Sequence, residues 1–368
     1  RWNMLRTHLR YDELLLRQEA AKGNYKKVKE ILERNKGADS FDVNGGSSNG
    51  NTALHWACAK VMETKQGLSE RYAKTIRLLV QYGADHLIEN KFGQNPRDFF
   101  PDGGGFRNSS HTSRQLKSSG YLALINALLE IECIKITSPE ERECELKIET
   151  SFYLILDELK PIDFFSSENK QQDTFTVLSL ACGLSMEILP LIMYFQYQNK
   201  KVKYIGVDIN SDIIEDNKAR YNAYENVNFI CADASNLDEI NTIVASSSIE
   251  MGIIRNGDFT ESNGRKDIFC KMVDQILPRL LKPDAPLLMT FQTEHELNIC
   301  SKETQLFLNF KKFKGDNLCD MGELCPVPIQ RGNDTIITYS DRYSFILNAD
   351  KTNAVQDQLS HGLQRLRM

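Results

Sequence analysis

Two carboxylates and one glycine, each closing a short apolar run, carry the chemistry that this sequence announces. Val177 to Ser185 passes from Val177-Leu178-Ser179-Leu180 into the turn Ala181-Cys182-Gly183. Tyr204 to Ile209 ends in Gly206-Val207-Asp208-Ile209, and Val227 to Ala234 ends in Ile230-Cys231-Ala232-Asp233-Ala234. Such runs read as buried parallel strands, and in an open parallel sheet ligands bind beyond the strands' carboxyl ends, near the switch point. Asp208 stands 25 residues after Gly183, where it can accept hydrogen bonds from ribose hydroxyls. Asp233 can accept one from an adenine amino group. The order predicts a nucleoside-binding βαβαβ half.

The first turn narrows the choice of nucleoside. A dinucleotide fingerprint uses glycines to bring backbone amides to a pyrophosphate and a helix close to the sheet. Here the three glycine positions of G-x-G-x-x-G are Ala181, Gly183 and Met186, and Ser185-Met186-Glu187 makes a poor phosphate cradle. No G-x-x-x-x-G-K-[ST] is present, which disfavours a nucleoside triphosphate. S-adenosylmethionine has no phosphate. It asks for one close backbone approach at Gly183, an acid for the ribose and a polar edge for the adenine.

With these residues in view, the chain resembles the class I, Rossmann-like methyltransferases. That family's first strand and turn read hydrophobic-hydrophobic-acid-hydrophobic-Gly-x-Gly-x-Gly; this chain has Ser179 for the acid, Ala181 for the first glycine and Ser185 for the last. Asp208 and Asp233 match the ribose and adenine positions, with Ile209 and Ala234 as apolar neighbours of the ring. The resemblance implies a cofactor-binding set of Ser179, Ala181, Cys182, Gly183, Asp208, Ile209, Asp233 and Ala234 for S-adenosylmethionine, with S-adenosylhomocysteine as product. It extends over roughly 170 to 348. Met251 to Ile254 is then strand four, Ile276 to Lys282 a helix, and Ala285 to Phe291 strand five. Thr335 to Tyr339 and Tyr343 to Leu347 are expected to pair around Ser340-Asp341 at the antiparallel end of a mostly parallel seven-stranded sheet. Gly315 to Asn333 is expected to be a substrate-facing loop. Another α/β protein, or a degenerate methyltransferase fold that no longer binds cofactor, stays open at this point.

The first third has a different logic. Thr52-Ala53-Leu54-His55-Trp56-Ala57 is close to the ankyrin signature T-P-L-H-x-A, with His55 structural. Thr75 to Asp85 fits the repeat's second helix with its Gly83 cap, and Asn90 to Pro96 opens the next repeat. An earlier repeat shows in Ala20 to Tyr25, Val28 to Asn35 and Ala38-Asp39. Insertions are expected at Lys60 to Tyr72 and at Pro101 to Ser119, the latter as a mobile loop before a helix from Tyr121 to Glu132. Ser138-Pro139-Glu140-Glu141 marks a helix start, running to about Leu159, and polar Ser166 to Asp173 leads into strand one. The predicted fold is multidomain. An all-α ankyrin-repeat solenoid of about three repeats (1–132) is followed by a connecting helix and linker (133–172) and an α/β Rossmann-like methyltransferase domain (173–368).

Composition bounds the rest. The chain has 368 residues, 41% of them hydrophobic, enough for two cores. A net charge of −5, without a basic stripe carrying interleaved aromatics, argues against a nucleic-acid surface. Lys26-Lys27 and Lys311-Lys312 read as solvated helix faces. No apolar run reaches the ~18 residues of a membrane span. No N-terminal signal is read, and an opening at Arg1 leaves the native terminus open. Nine cysteines without regular spacing suggest no disulfide framework and a reducing, cytoplasmic setting. Cys182 and Cys231 read as small core-like residues, and Cys300, Cys319 and Cys325 lack C-x-x-C spacing, so no metal is expected.

Methyl transfer from a sulfonium is an in-line displacement that needs positioning more than acid–base groups. Catalytic candidates follow strand four (Arg255, Asn256, Asp258) and strand five (Glu294, His295), with Arg255, Asn256 and His295 preferred. Arg255 suits an acidic acceptor or a surface salt bridge; His295 suits a general base or plain surface. An N/D-P-P-Y/F motif is replaced by Arg255-Asn256-Gly257-Asp258, which disfavours base or glutamine N-methylation. Two functions follow: a methyltransferase whose ankyrin repeats recruit a protein, or a non-catalytic protein-binding scaffold. Aminopropyl transfer is a minor third. The fusion resembles ankyrin-bearing effectors of intracellular bacteria, which implies the host-cell cytosol.

Overall fold

In the computed structural model of the chain, helical periodicity governs the first third and buried strands govern the rest. The structure describes residues 2–38, 41–63, 69–100, 111–133, 139–165, 170–257, 265–282, 285–291, 294–303, 311–314, 327–331, 334–338 and 343–348. The chain divides into two units, Arg1–Lys135 and Ile136–Met368.

The first unit stacks helices α1 (Trp2–Ala21), α2 (Tyr25–Arg34), α3 (Ala53–Glu63) and α4 (Ser69–Gln81), then a 3-10 turn at Pro96–Phe99 and α5 (His111–Cys133). Gly23, at φ +63°, turns α1 into α2 beneath the Tyr72 ring, whose hydroxyl donates to Ala21 O at 2.9 Å. That contact ties one helical pair to the next. Gly83, at φ +88°, ends α4 by letting Ala84 N donate back to Leu79 O. His55 is fully buried at the start of α3. Its Nδ1 accepts the Thr52 N–H at 3.1 Å, so Nε2 carries the proton and donates to Gln94 O at 3.0 Å. The helix expected from Tyr121 begins ten residues earlier, at His111, while 101–110 lie outside the described residues.

The second unit opens with α6 (Pro139–Leu159), starting at the proline that its sequence marks. Next come β1 (Thr174–Leu180), α7 (Ile188–Tyr197), β2 (Lys201–Asp208), α8 (Ser211–Arg220), β3 (Val227–Cys231), α9 (Leu237–Asn241) and β4 (Met251–Ile254). Helix α10 (Arg265–Lys271) continues through a π-helical turn at Met272–Ile276 into α11 (Leu277–Leu280). The helix read from Ile276 is thus longer and interrupted. Pro278 explains the interruption, because it lacks an N–H for Asp274 O and its ring crowds that carbonyl. The chain ends with β5 (Pro286–Phe291), α12 (Glu294–Glu303), β6 (Lys311–Lys314), β7 (Val327–Arg331), β8 (Asp334–Thr338) and β9 (Tyr343–Asn348).

The strand order is β3-β2-β1-β4-β5-β9-β6. The first five pair in parallel, and the sheet reaches seven only through the antiparallel β9 and β6. Two expectations are corrected here. β8 pairs with β7 in a separate two-stranded sheet, not with β9, which lies beside β5. Lys311 and Lys312 stand on the edge strand β6, not on a helix.

Helix α6 belongs to this unit through a buried ion pair. Arg220 Nη1 and Nη2 grip Glu145 Oε1 (2.7 Å) and Oε2, with side-chain exposures of 4% and 0%. Ile148 of α6 packs with Met186, so the methionine at a glycine position fills a contact with α6.

The buried imidazoles make the first unit acid-sensitive. Burial lowers the His55 pKa and holds His86 down to about 4. A folded value below the ordinary one means that the unfolded chain binds protons first, so stability is full above about pH 6.5 and is lost as pH falls toward 4. Both tryptophans, Trp2 and Trp56, lie in this unit. The urea midpoint read by tryptophan fluorescence should therefore fall between about pH 7.5 and about pH 5, and His55→Gln with His86→Gln should flatten that slope. A wild-type midpoint that does not move would remove both imidazoles from the account.

Candidate functional site

Sheet order reverses between β1 and β4, so the crevice opens at their carboxyl ends. On one side lies the turn after β1. Ala181, Gly183 and Ser185 all take left-handed backbone there, at φ +52°, +50° and +53°. These are the three glycine positions of the motif, and the non-glycine residues keep the same path. A side chain in that region costs about 1–2 kcal/mol, so the surroundings must hold it. They do: Asn217 Nδ2 of α8 donates to Gly183 O at 2.7 Å and Tyr221 OH to Ser185 O at 3.1 Å. Gly183 N donates to Asp208 Oδ2 at 2.9 Å. A Cβ built on Gly183 meets nothing within 4 Å, so the space above this backbone is open.

Asp208 ends β2 half-buried, and its other oxygen accepts the Asn210 N–H at 2.9 Å. Each oxygen of an ionised carboxylate has a second lone pair, so both can still accept from a ligand. Ile209 follows with 71% of its surface exposed. Asp233, beyond β3, is half-buried and accepts from Ser235 N and Oγ through Oδ1. Ala234 is buried in the core and does not reach that open space. Cys182 is also buried, and burial pushes its thiol pKa well up, which leaves it protonated.

Ser179 is fully buried and donates to a residue that the motif did not suggest, Glu187. The Glu187 carboxylate, at 0% exposure, accepts from Ser179 Oγ at 2.8 Å and Tyr204 OH at 2.6 Å, both on Oε1. Burial, reinforced by the adjacent carboxylate, pushes the Tyr204 pKa well above its ordinary value, so its hydroxyl stays a donor. Arg255 Nη1 faces Glu187 Oε2 at 3.6 Å, and its guanidinium lies over the Phe152 ring at 5.5 Å. Asn256 also has left-handed backbone (φ +51°), with its N–H held by Thr290 O at 3.0 Å.

The crevice therefore brings together Ser179, the Ala181–Ser185 turn and Arg255, with Asp208 joined to the turn through Gly183. His295 sits exposed on α12, and Asp258, Cys319 and Cys325 lie outside the described residues. Sequence reasoning missed Glu187, Tyr204 and Asn217. The available signal was an acid at the mouth of an apolar helix, Ile188–Tyr197, where an unpaired charge would be costly.

Residues 49–91 match the family model of the ankyrin repeat. No curated protein matches the chain. Among solved structures, an rRNA methylase from Streptococcus thermophilus is 15% identical with a TM-score of 0.33, over 51% of this chain and 94% of its own. A SAM-dependent O-methyltransferase from Thermotoga maritima is 10% identical with a TM-score of 0.32, over 51% of this chain and 64% of its own. A SAM-dependent methyltransferase from Aquifex aeolicus is 14% identical with a TM-score of 0.29, over 54% of this chain and 96% of its own.

The Glu187 network predicts a stability effect. Tyr204→Phe removes one of the two donors to a buried carboxylate oxygen and should destabilise the second unit by about 1–3 kcal/mol, measured by urea unfolding followed by far-UV circular dichroism. No loss would show that the Tyr204–Glu187 contact contributes nothing.

Proposed function

We propose that the second unit is an S-adenosylmethionine-dependent methyltransferase and that the ankyrin-repeat unit recruits a protein, either its substrate or an anchor. The observation that carries the reading is Asp208, which ends the second strand bonded to Gly183 N at 2.9 Å, beneath open space and beside the exposed Ile209. That set suits a nucleoside without a phosphate. Asp208 accepts from ribose hydroxyls, Ile209 gives the base an apolar face, and Asp233 accepts from the exocyclic amino group. Ala181 and Ser185 support the reading because they keep the left-handed path of the glycines they replace. When bound, the cofactor supplies an activated methyl group on sulfur. The protein's own task is to hold donor and acceptor in line and to keep water out.

Asn256 and His295 are proposed for the acceptor side, and Arg255, with 8% of its side chain exposed, is turned inward to Glu187. Asn256 stands at the carboxyl end of β4, locked to β5, and exposed His295 supplies a nitrogen for an acceptor that must lose a proton. For recruitment, the first unit offers a groove between α2 and α4 lined by Tyr25, Lys29, Lys74, Arg77 and Tyr82, and an exposed Phe92 on the turn before the 3-10 helix.

Calorimetric titration with S-adenosylhomocysteine tests the reading. Wild type should bind at micromolar or tighter affinity, and Asp208→Ala should weaken binding by about 1.5–3 kcal/mol, the scale of a charge-assisted hydrogen bond. A folded wild type without binding would reject the reading in favour of a non-catalytic scaffold. Undiminished binding by the variant would remove Asp208 from the site.

A further inference from the structure

Glu187 divides its two oxygens between unlike neighbours. Oε1 takes both hydroxyl hydrogen bonds, whereas Oε2 receives none among the described residues and meets Arg255 only as an ion pair at 3.6 Å. That distance is beyond a hydrogen bond. A buried carboxylate offsets its desolvation only when its contacts have good geometry, so Glu187 Oε2 asks for a further partner, a hydrogen-bond donor. The side chains involved are nearly sealed, at 0% exposure for Glu187 and 8% for Arg255.

The position of the pair says what that partner would be. Glu187 enters α7 after β1, Arg255 leaves β4, and these strands are neighbours in register Ser179↔Ile253, so the pair spans the switch point itself. It also connects to the nucleoside end by hydrogen bonds. Tyr204 OH lies 3.3 Å from Ser185 Oγ, Asn217 Nδ2 reaches both Ser185 Oγ (3.3 Å) and Gly183 O (2.7 Å), and Gly183 N holds Asp208. An anion and a cation side by side complement a ligand group that carries an ammonium and a carboxylate on one carbon.

We infer that Glu187 and Arg255 recognise the amino-acid end of the cofactor, with Glu187 Oε2 accepting from its α-ammonium and Arg255 turning to its α-carboxylate. The inference rests on the proposed cofactor site. Two charges of the protein are matched by two of the ligand, so no net charge is added to the crevice. Ser179 and Tyr204 keep Oε1 fixed while Oε2 changes partner. Phe152 gives the guanidinium a flat surface against which to turn.

The test compares two ligands on the full chain by calorimetry: S-adenosylhomocysteine, and 5′-methylthioadenosine, which has the nucleoside thioether without the amino acid. Glu187→Gln should weaken S-adenosylhomocysteine roughly tenfold to a hundredfold and leave 5′-methylthioadenosine within about twofold. The second ligand serves as the control for folding. If Glu187→Gln binds neither, Arg255→Lys carries the same comparison, because it keeps the buried carboxylate paired and only removes the planar fork. Equal weakening of both ligands would overturn the inference, as would a wild type that binds both alike, and in either case the cofactor reading survives. A wild type that binds neither ligand would overturn that reading and this inference together.

Discussion

A carboxylate without solvent, at the point where the sheet changes direction, constrains most of what surrounds it. Glu187 cannot be left uncompensated there, since an isolated buried charge costs several kcal/mol even after the protein relaxes. Ser179, Tyr204 and Arg255 answer that demand from β1, β2 and the end of β4. The serine at 179 follows from the same constraint. Its side chain lies within hydrogen-bonding distance of Glu187, and an acid in its place would set two carboxylates against each other, one of them forced to keep a proton. The serine at 179 and the acid at 187 are one arrangement, not two irregularities.

The turn after β1 shows a similar exchange. Left-handed backbone at Ala181 and Ser185 would be relaxed with glycine, and here the turn is held by hydrogen bonds from Asn217 and Tyr221 and by the one that Gly183 N donates to Asp208. Such strain persists only where the surroundings over-determine it. Because Asp208 and Gly183 hold each other, the acid that would meet a ribose is oriented before any ligand arrives. Preorganisation of this kind lowers the ordering cost of binding.

Much of the fold was legible because buried parallel strands are continuous apolar runs. Met251–Ile254 matches its strand to the residue and Ala285 to Phe291 to within one, whereas Tyr204 to Ile209 misses the first three residues of β2. The helix at Pro139 announced itself by its Ser-Pro start. Where the reading failed, pairing depended on distant partners. Asp334–Thr338 and Tyr343–Asn348 look alike as strands, and nothing local says that one joins β7 and the other β5. The helix from His111 was hidden in a stretch whose glycine, serine and asparagine suggested a loop, which shows how weak composition is beside packing. At the site, Asp208 and Gly183 were visible in order and spacing. Glu187 was not, because its meaning lies in Tyr204 and Arg255, which are brought to it by the sheet and not by the sequence.

The Arg220–Glu145 pair bears on how such a chain can be assembled from parts. Helix α6 precedes the first strand of the sheet, yet it supplies a carboxylate that grips a guanidinium sealed on α8. A recombination event that joined a foreign module at residue 173 would have removed the carboxylate that both Nη atoms of Arg220 hold. One that joined it before Pro139 would have carried helix and partner together. The sheet and its leading helix are thus one physical block, the unit Ile136–Met368, and a cut behind that helix would divide a buried ion pair that a cut ahead of it keeps whole.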